Sequence, residues 1–260
     1  ADDSMYSDQS VVEVAGVDPD RILELGEKEN FWRMGDTGPC GPCTEIHVDL
    51  GEDLRSVDGP STPATDEQRF LEIWNLVFMQ YSRNVDGVDT ELPRKNIDTG
   101  AGLERILGVL QGVDSVFETD VLTPLVDTAQ RVTGRRLGAS DRSDVSLRIL
   151  AEHARTMSFL VSDGVFPSNE GRGYVLRRIM RRAMRHAKML GFEDPVLFKT
   201  AGFVLEFMAS AYPTEAERKD FVAKVVQNEE ERFIATLGNG LRILQDEVAQ
   251  LKKAGQTVIP

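Results

Sequence analysis

The stretch Gln68–Leu110 constrains the fold of this chain more than any other part of the sequence. It begins with a β-branched and aromatic run, turns at an Asp-Gly pair, returns through a second run and enters a helical pattern at Leu103. Two such runs joined by Asp-Gly are typical of a β-hairpin. The sequence therefore predicts two antiparallel strands followed by a helix that ends near Gln111.

The register of this hairpin decides which side chains share one face of the sheet. If the Asp-Gly pair forms the whole loop, Asn75 lies opposite Asp98, and Val77 shares their face because side chains alternate along a strand. This face suits a small zwitterion: Asp98 binds an ammonium, Asn75 offers a donor or an acceptor, and Val77 limits the ligand's side chain. A bulge near Pro93 would shift the register and place these side chains on opposite faces of the sheet.

The segment after Asp98 predicts a phosphate-binding site. It contains Gly100, Gly102 and Arg105, and the arginine lies in the first turn of the predicted helix. Glycines let a ligand approach the backbone, a helix N-terminus favours negative charge, and arginine donates to phosphate through a forked guanidinium. The same pattern fits a glycine-rich turn whose arginine pairs with a surface carboxylate, so both interpretations stay open.

Charge is divided unevenly along the chain. Residues 1–115 hold 24 acidic and 9 basic side chains, residues 116–260 hold 19 and 21, and the net charge is −13. Bulk charge therefore disfavours nucleic-acid binding, and any such contact must come from a local cluster in the second half. There is no apolar run long enough to span a membrane and no signal-peptide pattern, which predicts a cytoplasmic protein without a membrane partner.

The only cysteines, Cys40 and Cys43, lie in a Gly-Pro-Cys-Gly-Pro-Cys segment that allows three interpretations. A dithiol redox site should open a helix, but an alternating, strand-like run follows. A zinc site with both cysteines and His47 lacks an evident fourth ligand. The pattern favours a rigid Pro-Gly loop with two buried thiols, and no metal site is predicted. Glu45, His47 and Asp49 share one face of the following run and are candidate nucleotide-side groups.

A domain boundary is predicted at Gly112–Ser115, and everything beyond it has a helical pattern. The predicted domains are 1–115 and 116–260. Helical spacing predicts three buried stripes: Leu150, Ala154, Met157 and Val161; Val175, Ile179 and Ala183; and Phe233, Leu237, Leu241, Leu244, Val248 and Leu251.

One helix of the second half is densely basic. Seven basic side chains lie within 172–188, and Arg177 and Arg181 follow one another at helical spacing with Arg178 and Arg182 beside them. Stacked like charges disfavour an isolated helix, so an anionic partner is expected. The partner is either the acidic first half of the chain or a phosphate backbone, and the local pattern does not choose between them.

Four segments of the chain resemble alanyl-tRNA synthetases. They are 30–47 (NFWRMGDTGPCGPCTEIH), 72–80 (EIWNLVFMQ), 98–105 (DTGAGLER) and 167–179 (PSNEGRGYVLRRI). The resemblance, which extends along nearly the whole chain, implies the later part of a class II catalytic domain over residues 1–115, with the third class II motif at 98–105. It implies a helical tRNA-recognition domain over the rest. The predicted fold class is therefore α+β, a partial antiparallel class II sheet with helices followed by an all-helical domain.

The resemblance also implies roles for particular residues. Asp98 would bind the ammonium of alanine, with Trp32, Val77 and Gly100 shaping the pocket beside the Asn75 assigned above. Arg105, the one implied catalytic residue, would bind the ATP phosphates next to Gly100 and Gly102.

In the second domain, Asn169 would read the G·U wobble pair in the acceptor stem of alanine tRNA. The implied phosphate contacts are Arg177, Arg178, Arg181 and Arg182. Gly171 stands where a polar residue is expected in many relatives.

The implied activity is that of an alanine–tRNA ligase. The alanine carboxylate attacks the α-phosphate of ATP, with Mg²⁺, and the alanyl group then passes to the 3′ end of the tRNA. This chemistry depends on positioning and charge stabilisation and needs no protein nucleophile. A pocket of this kind discriminates poorly against glycine or serine, since a methylene is worth only about 1–3 kcal/mol, so editing is expected elsewhere.

Motifs 1 and 2 of the family are expected before residue 1, and the editing domain with its zinc site after residue 260. The chain, which begins at Ala1 without Met, is therefore expected to be cut from a longer protein and to be inactive alone. Two alternatives belong to other classes: a non-catalytic module that binds the tRNA acceptor stem, and a dithiol oxidoreductase.

Overall fold

The computed structural model describes residues 16–253 and residue 255. The chain divides into two compact units, Ala1–Asp114 and Ser115–Pro260. The first unit contains an antiparallel four-stranded sheet and the second is built from helices, so the predicted α+β fold class is confirmed. The two chain ends, to which the expectation of truncation refers, lie outside the described residues.

The sheet of the first unit has the strand order β1-β2-β3-β4, with every neighbouring pair antiparallel. The elements of this unit are α1 (Glu27–Asn30), β1 (Phe31–Arg33), β2 (Gly38–Asp49), β3 (Phe70–Arg83), β4 (Asp89–Ala101) and α2 (Leu103–Gln111). The predicted helix after the hairpin is confirmed. It ends where Gly112, at a φ of 64°, donates its N–H back to Gly108 and Val109, a left-handed position that favours glycine.

The loop of the β3–β4 hairpin is longer than predicted. Five residues, 84–88, connect the strands, and the N–H of Asn84 donates to the carbonyl oxygen of Val88 at 3.0 Å. The side chain of Asn84 also accepts from the N–H groups of Asp86 and Val88. Hydrogen bonds between the asparagine side chain and the backbone of its own loop stabilise this five-residue turn in place of a two-residue turn.

The register of this hairpin also differs from the prediction. An irregularity lies between Met79 and Tyr81, opposite the part of β4 that contains Pro93, which has no N–H for the ladder. Beyond it Val77 faces Asp98, so the predicted pairing of Asn75 with Asp98 is wrong by two residues. A shift of two residues preserves the face to which each side chain points, because two is the period of a strand.

The second unit packs around one hydrophobic core. Its helices are α3 (Thr123–Thr133), α4 (Asp141–Ser162), α5 (Gly171–Met189), α6 (Leu197–Phe207), α7 (Pro213–Ala216) and α8 (Lys219–Lys253). The core is formed by α3, α4, α5, α6 and the first turns of α8. No helix in the described part of the chain is long and apolar enough to cross a membrane.

The three predicted stripes have different outcomes. The α4 stripe is confirmed, with Leu150 and Met157 at most 1% exposed. The α5 stripe is confirmed at Ala183, which is fully buried, and wrong at Val175, which is 55% exposed, whereas Leu176 and Met180 are fully buried. The buried face of α5 therefore follows Leu176, Met180 and Ala183, at spacings of four and three residues.

The α8 stripe is confirmed at its two ends and wrong in its middle, since Phe233 packs against the core. Leu241 is 38% exposed and Leu244 is 46% exposed, although Leu251 is buried. The helix has 35 residues, or about 50 Å at 1.5 Å per residue. The side chains of α8 in the hydrophobic core, Val222 and Val226, belong to its first two turns and a half. The apolar spacing of α8 therefore continues beyond the part of the helix that packs against the hydrophobic core.

Candidate functional site

One face of the sheet carries the predicted amino-acid-binding side chains of β3 and β4. Val77 lies opposite Asp98, and Asn75 lies opposite Gly100. Facing residues point to the same side of a sheet, and so do residues two apart along one strand. The four residues therefore share one face, on which Asn75 and Asp98 are diagonal neighbours, typically about 7–8 Å apart.

Strand β2 adds two polar groups to this face. Cys43 lies opposite Val77 and Glu45 lies opposite Asn75. Nδ2 of Asn75 donates to Oε1 of Glu45 at 3.0 Å. Oδ1 of Asn75 is buried and has no hydrogen-bond partner among the described residues. Burial raises the pKa of the Glu45 carboxyl, and the charge of Glu72 raises it further.

A bulge in β3 places Glu72 on the same face. Ile46 faces Trp74, whereas His47 faces Glu72, so β3 has one extra residue between these pairs. An extra residue reverses the alternation, which is why Glu72 shares the face of Asn75 in spite of their odd spacing. Burial lowers the pKa of His47. Its Nε2 lies 3.6 Å from Oε2 of Glu45.

Arg105 reaches this face from the first turn of α2. Its Nη1 donates to the carbonyl oxygen of Glu72 at 2.7 Å and lies 3.3 Å from the carboxylate oxygen Oε2. The side chain is 48% exposed. Arg105 thus pairs with a carboxylate, as one interpretation of the sequence predicted, and that carboxylate is itself part of the candidate site. A Cβ on Gly102 would lie 3.1 Å from Cδ of Arg105, so glycine leaves the arginine room.

Asp98 is exposed, and its Oδ1 accepts the N–H of Thr99 at 3.0 Å. Gly100 has open space where a Cβ would stand. Trp32 lies in β1 opposite Gly41, two strands from β3, and is 36% exposed. No hydrogen bond or ring contact among the described residues connects Trp32 with the face of Asp98, so its role in the pocket stays a prediction.

In the second unit, Asn169 lies in a tightly built loop before α5. The N–H of Ser168 donates to the carbonyl oxygen of Gly173 at 3.1 Å, and Oγ of Ser168 donates to that of Glu170 at 2.7 Å. A Cβ on Gly173 would lie 2.2 Å from the carbonyl oxygen of Phe166, which leaves no room for a side chain there. The loop therefore presents Asn169, which is exposed, from a fixed backbone.

Gly171, the departure noted in the sequence, begins α5 with a φ of +57°. Glycine adopts this left-handed conformation without the penalty that a β-carbon adds. The left-handed backbone conformation therefore explains why glycine occupies position 171.

The predicted phosphate-binding arginines fall into two groups. Arg177 contacts Asn169 and the buried Glu229 of α8, and Arg181 lies 3.8 Å from the same carboxylate. Arg178 and Arg182 are exposed, and no ion pair involves them in the described part of the chain. The anionic partner of the first group is thus a carboxylate of the same helical unit, which neither sequence interpretation named.

Two comparisons with known proteins identify the family. The model of the family described as tRNA synthetases class II (A) matches residues 3–260. The chain belongs to the class II tRNA synthetases. An alanine–tRNA ligase of Desulfosudis oleivorans (strain DSM 6200 / JCM 39069 / Hxd3) is 49% identical over 245 residues, which is 94% of this chain and 28% of that relative. The resemblance to alanyl-tRNA synthetases is thereby confirmed, and the synthetase chain spans 28% of the length of this curated relative.

The cysteines of this synthetase chain are buried in β2. Burial raises the pKa of both thiols, and the negative charge of Asp89 adds to the effect at Cys40. A reactive redox pair needs a thiolate, which a lowered pKa favours. The geometry therefore supports two structural thiols, although in a strand rather than in the loop that the sequence suggested. The described residues contain no group of three or more potential metal ligands.

Of the three candidate nucleotide-side groups on β2, which are Glu45, His47 and Asp49, only Asp49 forms an ion pair with a described arginine outside the candidate site. Arg69 donates to both its carboxylate oxygens, at 2.7 and 2.8 Å, and this lowers the pKa of Asp49 to about 2. Glu45 and His47 remain on the candidate face.

The sequence reasoning missed Glu72, Cys43 and Glu229. The bulge that places Glu72 on the candidate face has no clear signal in the sequence. The burial of Glu229 does have a signal, because this residue follows Val222 and Val226 at the helical spacing of a buried face. A buried carboxylate needs a cation as its partner.

Proposed function

We propose that this chain supplies the amino-acid-binding face, the ATP-binding turn and the acceptor-stem interface of an alanine–tRNA ligase. The observation that carries the proposal is the register that puts Asn75, Val77, Asp98 and Gly100 on one face. The similarity to the alanine–tRNA ligase of Desulfosudis oleivorans, at 49% identity, supports alanine as the amino acid.

The face has the groups that a small amino acid requires. Asp98 is an exposed carboxylate for the ammonium, and the buried, unpaired Oδ1 of Asn75 is a second acceptor on the same face. Val77 is only 8% exposed and limits the space for a side chain. Gly100 leaves the backbone open to the ligand, and Trp32 would close the pocket from the side of β1.

The turn into α2 would hold the phosphates of ATP. Arg105 would exchange the carboxylate of Glu72 for phosphate oxygens. Gly100 leaves open space before the helix N-terminus, and Gly102 leaves room for the arginine side chain. Mg²⁺ would arrive with ATP, since this ion is usually held by substrate phosphates, waters and only one or two carboxylates.

In the reaction, a carboxylate oxygen of alanine attacks the α-phosphorus and pyrophosphate leaves, which gives alanyl-adenylate. A hydroxyl at the 3′ end of the tRNA then attacks the alanyl carbonyl carbon, and AMP leaves. The residues of the face hold and orient the reacting groups and stabilise charge. The complete reaction is proposed for a protein that contains this chain.

The second unit would bind the acceptor stem. Asn169 projects from a rigid loop, and an amide both donates and accepts, as reading the minor groove of a G·U wobble pair requires. The exposed Arg178 and Arg182 would contact phosphates next to it. These arginines would attract the RNA locally, although the whole chain has a net charge of −13.

Calorimetric titration with alanyl-sulfamoyl-adenosine, a stable analogue of alanyl-adenylate, tests the first unit. We expect Asp98→Asn to weaken binding by about tenfold or more, because loss of a charge-assisted bond costs about 1.5–3 kcal/mol. Glu91→Gln is the matched control: it removes one exposed carboxylate from the same strand, on the other side of the irregularity. Equal losses in both variants would mean that Asp98 acts only through its charge at a distance.

A second candidate function is that of a tRNA-binding module without catalysis. The engagement of Arg105 by Glu72 favours it, because phosphate must displace this contact. This function predicts selective binding of an alanine acceptor-stem hairpin with G·U over the same hairpin with G·C, together with no binding of the adenylate analogue. Loss of the selectivity in Asn169→Ala would support the proposed RNA contact in either case.

A further inference from the structure

We propose that Glu229 and Arg177 are positioning residues that orient the amide of Asn169 toward the RNA, and that Arg177 is not a phosphate contact. This inference rests on the proposed role of Asn169 at the acceptor stem. In this proposal, Arg177 determines the selectivity for the RNA base pair, whereas Arg178 and Arg182 determine the affinity for the RNA backbone.

Glu229 is a buried carboxylate that the fold retains at a cost. It is 4% exposed and lies on α8, the last helix of the second unit. Moving an ionised carboxylate out of water costs several kcal/mol unless cations and hydrogen bonds compensate. Its compensation comes from α5: Nε of Arg177 lies 2.8 Å from Oε1, and Nη2 of Arg177 donates to Oε2 at 3.3 Å.

The guanidinium of Arg177 connects this carboxylate to the RNA-reading loop. Nη1 donates to Oδ1 of Asn169 at 2.5 Å, and Nη2 also donates to the carbonyl oxygen of Pro167 at 3.2 Å. Guanidinium is planar and rigid, so fixing its Glu229 side also fixes the side that faces the loop. The loop is thus held at its backbone and at its one amide side chain.

These contacts determine which end of the Asn169 amide is free. Arginine has only donors, so the atom that it contacts must be the amide oxygen. The nitrogen Nδ2 then points away from Arg177, and no described residue accepts a hydrogen bond from it. The RNA meets two N–H donors and the remaining lone pair of Oδ1, in one orientation.

Arg177 is poorly placed to bind phosphate as well. Its side chain is 15% exposed, Nη1 donates to Asn169, Nη2 donates to Pro167 and Glu229, and Nε is buried 2.8 Å from Oε1 of Glu229. Arg178 and Arg182 are exposed on the same helix. Phosphate binding and amide orientation are therefore carried by different arginines.

Two hairpins, one with G·U and one with G·C at the wobble position, test the inference by equilibrium binding to the full chain over a range of salt concentrations. We expect the wild-type chain to prefer G·U by about tenfold. In Glu229→Gln this preference should fall below about threefold, while the salt dependence stays unchanged because no phosphate contact is lost. Arg178→Ala, the matched control, should weaken both hairpins alike and reduce the slope against log salt by about one.

Arg177→Lys provides a second variant if Glu229→Gln does not fold by circular dichroism. It keeps the charge, but one ammonium cannot span both partners, so selectivity should fall and the salt slope should not. In an Asn169→Ala background neither change should have a further effect on selectivity, as expected for residues that act through Asn169.

The outcomes separate the two levels of the proposal. A wild-type chain without preference for G·U refutes the proposed role of Asn169 and this inference with it. A wild-type preference that Glu229→Gln and Arg177→Lys both retain refutes the positioning role alone. A salt slope that drops by about one in Arg177→Ala would show that Arg177 does contact phosphate.

Discussion

Glu230, the neighbour of Glu229, offers the sharpest test of how the helical unit is held together. It is 2% exposed, and its carboxylate accepts three backbone N–H groups at the start of α6: those of Val196 at 3.0 Å, Leu197 at 2.9 Å and Phe198 at 3.0 Å. The side chain of α8 thus satisfies donors that the first turn of a helix otherwise leaves without partners.

Glu230→Ala should lower the free energy of unfolding of this unit by about 2–4 kcal/mol. Each backbone donor that stays buried without a partner costs about 1–3 kcal/mol, and two of the three hydrogen bonds are fully buried. Relief from burying a carboxylate offsets part of this loss. The measurement is urea unfolding followed by circular dichroism at 222 nm, read on the transition of the helical unit.

The control for this variant is Glu231→Ala on the same helix. Glu231 is exposed and contacts only Gln227 among the hydrogen bonds of the described residues, so its removal should change stability by less than about 0.5 kcal/mol. If Glu230→Ala behaves like this control, the carboxylate does not stabilise the start of α6 and the reasoning is wrong.

The same residue predicts a direction of pH dependence. Burial raises the pKa of the Glu230 carboxyl above its ordinary value, more than its three backbone hydrogen bonds lower it. The folded state then binds the proton more tightly than the unfolded state, so stability falls as pH rises from about 4.5 through the raised pKa. Wild type should therefore lose stability relative to Glu230→Gln across this range, and a difference that grows in favour of wild type would contradict the assignment.

Three further changes test other parts of the structure. Gly41→Ala should destabilise the sheet by more than about 3 kcal/mol by thermal unfolding, because its Cβ would lie 2.0 Å from the carbonyl oxygen of Phe78; normal stability would refute this close approach. Gly238→Ala has open space in α8 and should raise helix stability by about 0.5–1 kcal/mol, and a loss in urea unfolding would show that the glycine is needed. Val77→Gly should strengthen binding of a leucyl-adenylate analogue relative to the alanyl one, and an unchanged ratio in calorimetry would remove Val77 from the size limit.

The hairpin shows how far the sequence determines this fold. Two strands and a helix followed from the apolar runs and from the start of the helical pattern at Leu103. The loop did not, because Asn84 closes a five-residue turn that the Asp-Gly pair does not specify. The shared face of Asn75 and Asp98 was nevertheless predicted correctly, since the errors of the loop and the irregularity add up to two residues.

The remaining differences come from interactions that are distant in the sequence. Glu72 joins the site through a bulge that is set by pairing with β2, and Arg177 is withdrawn from the surface by Glu229, which lies 52 residues further along. On α8 the apolar period predicted burial at Leu241 and Leu244, which are exposed, because the spacing of apolar residues does not show how far the other helices extend along α8. Local patterns gave the elements, whereas the partners of their charged groups needed the three-dimensional structure.

The most direct test of the proposed amino-acid site compares two ligands that differ in one group. Alanyl-sulfamoyl-adenosine carries the α-ammonium that Asp98 is proposed to bind, and propionyl-sulfamoyl-adenosine lacks it. The wild-type chain should bind the first at least about tenfold more tightly, and Asp98→Asn should bind both with nearly equal affinity. Equal affinities in the wild-type chain would contradict the proposal, because the face that Asn75 and Asp98 share would then bind no amino-acid ammonium.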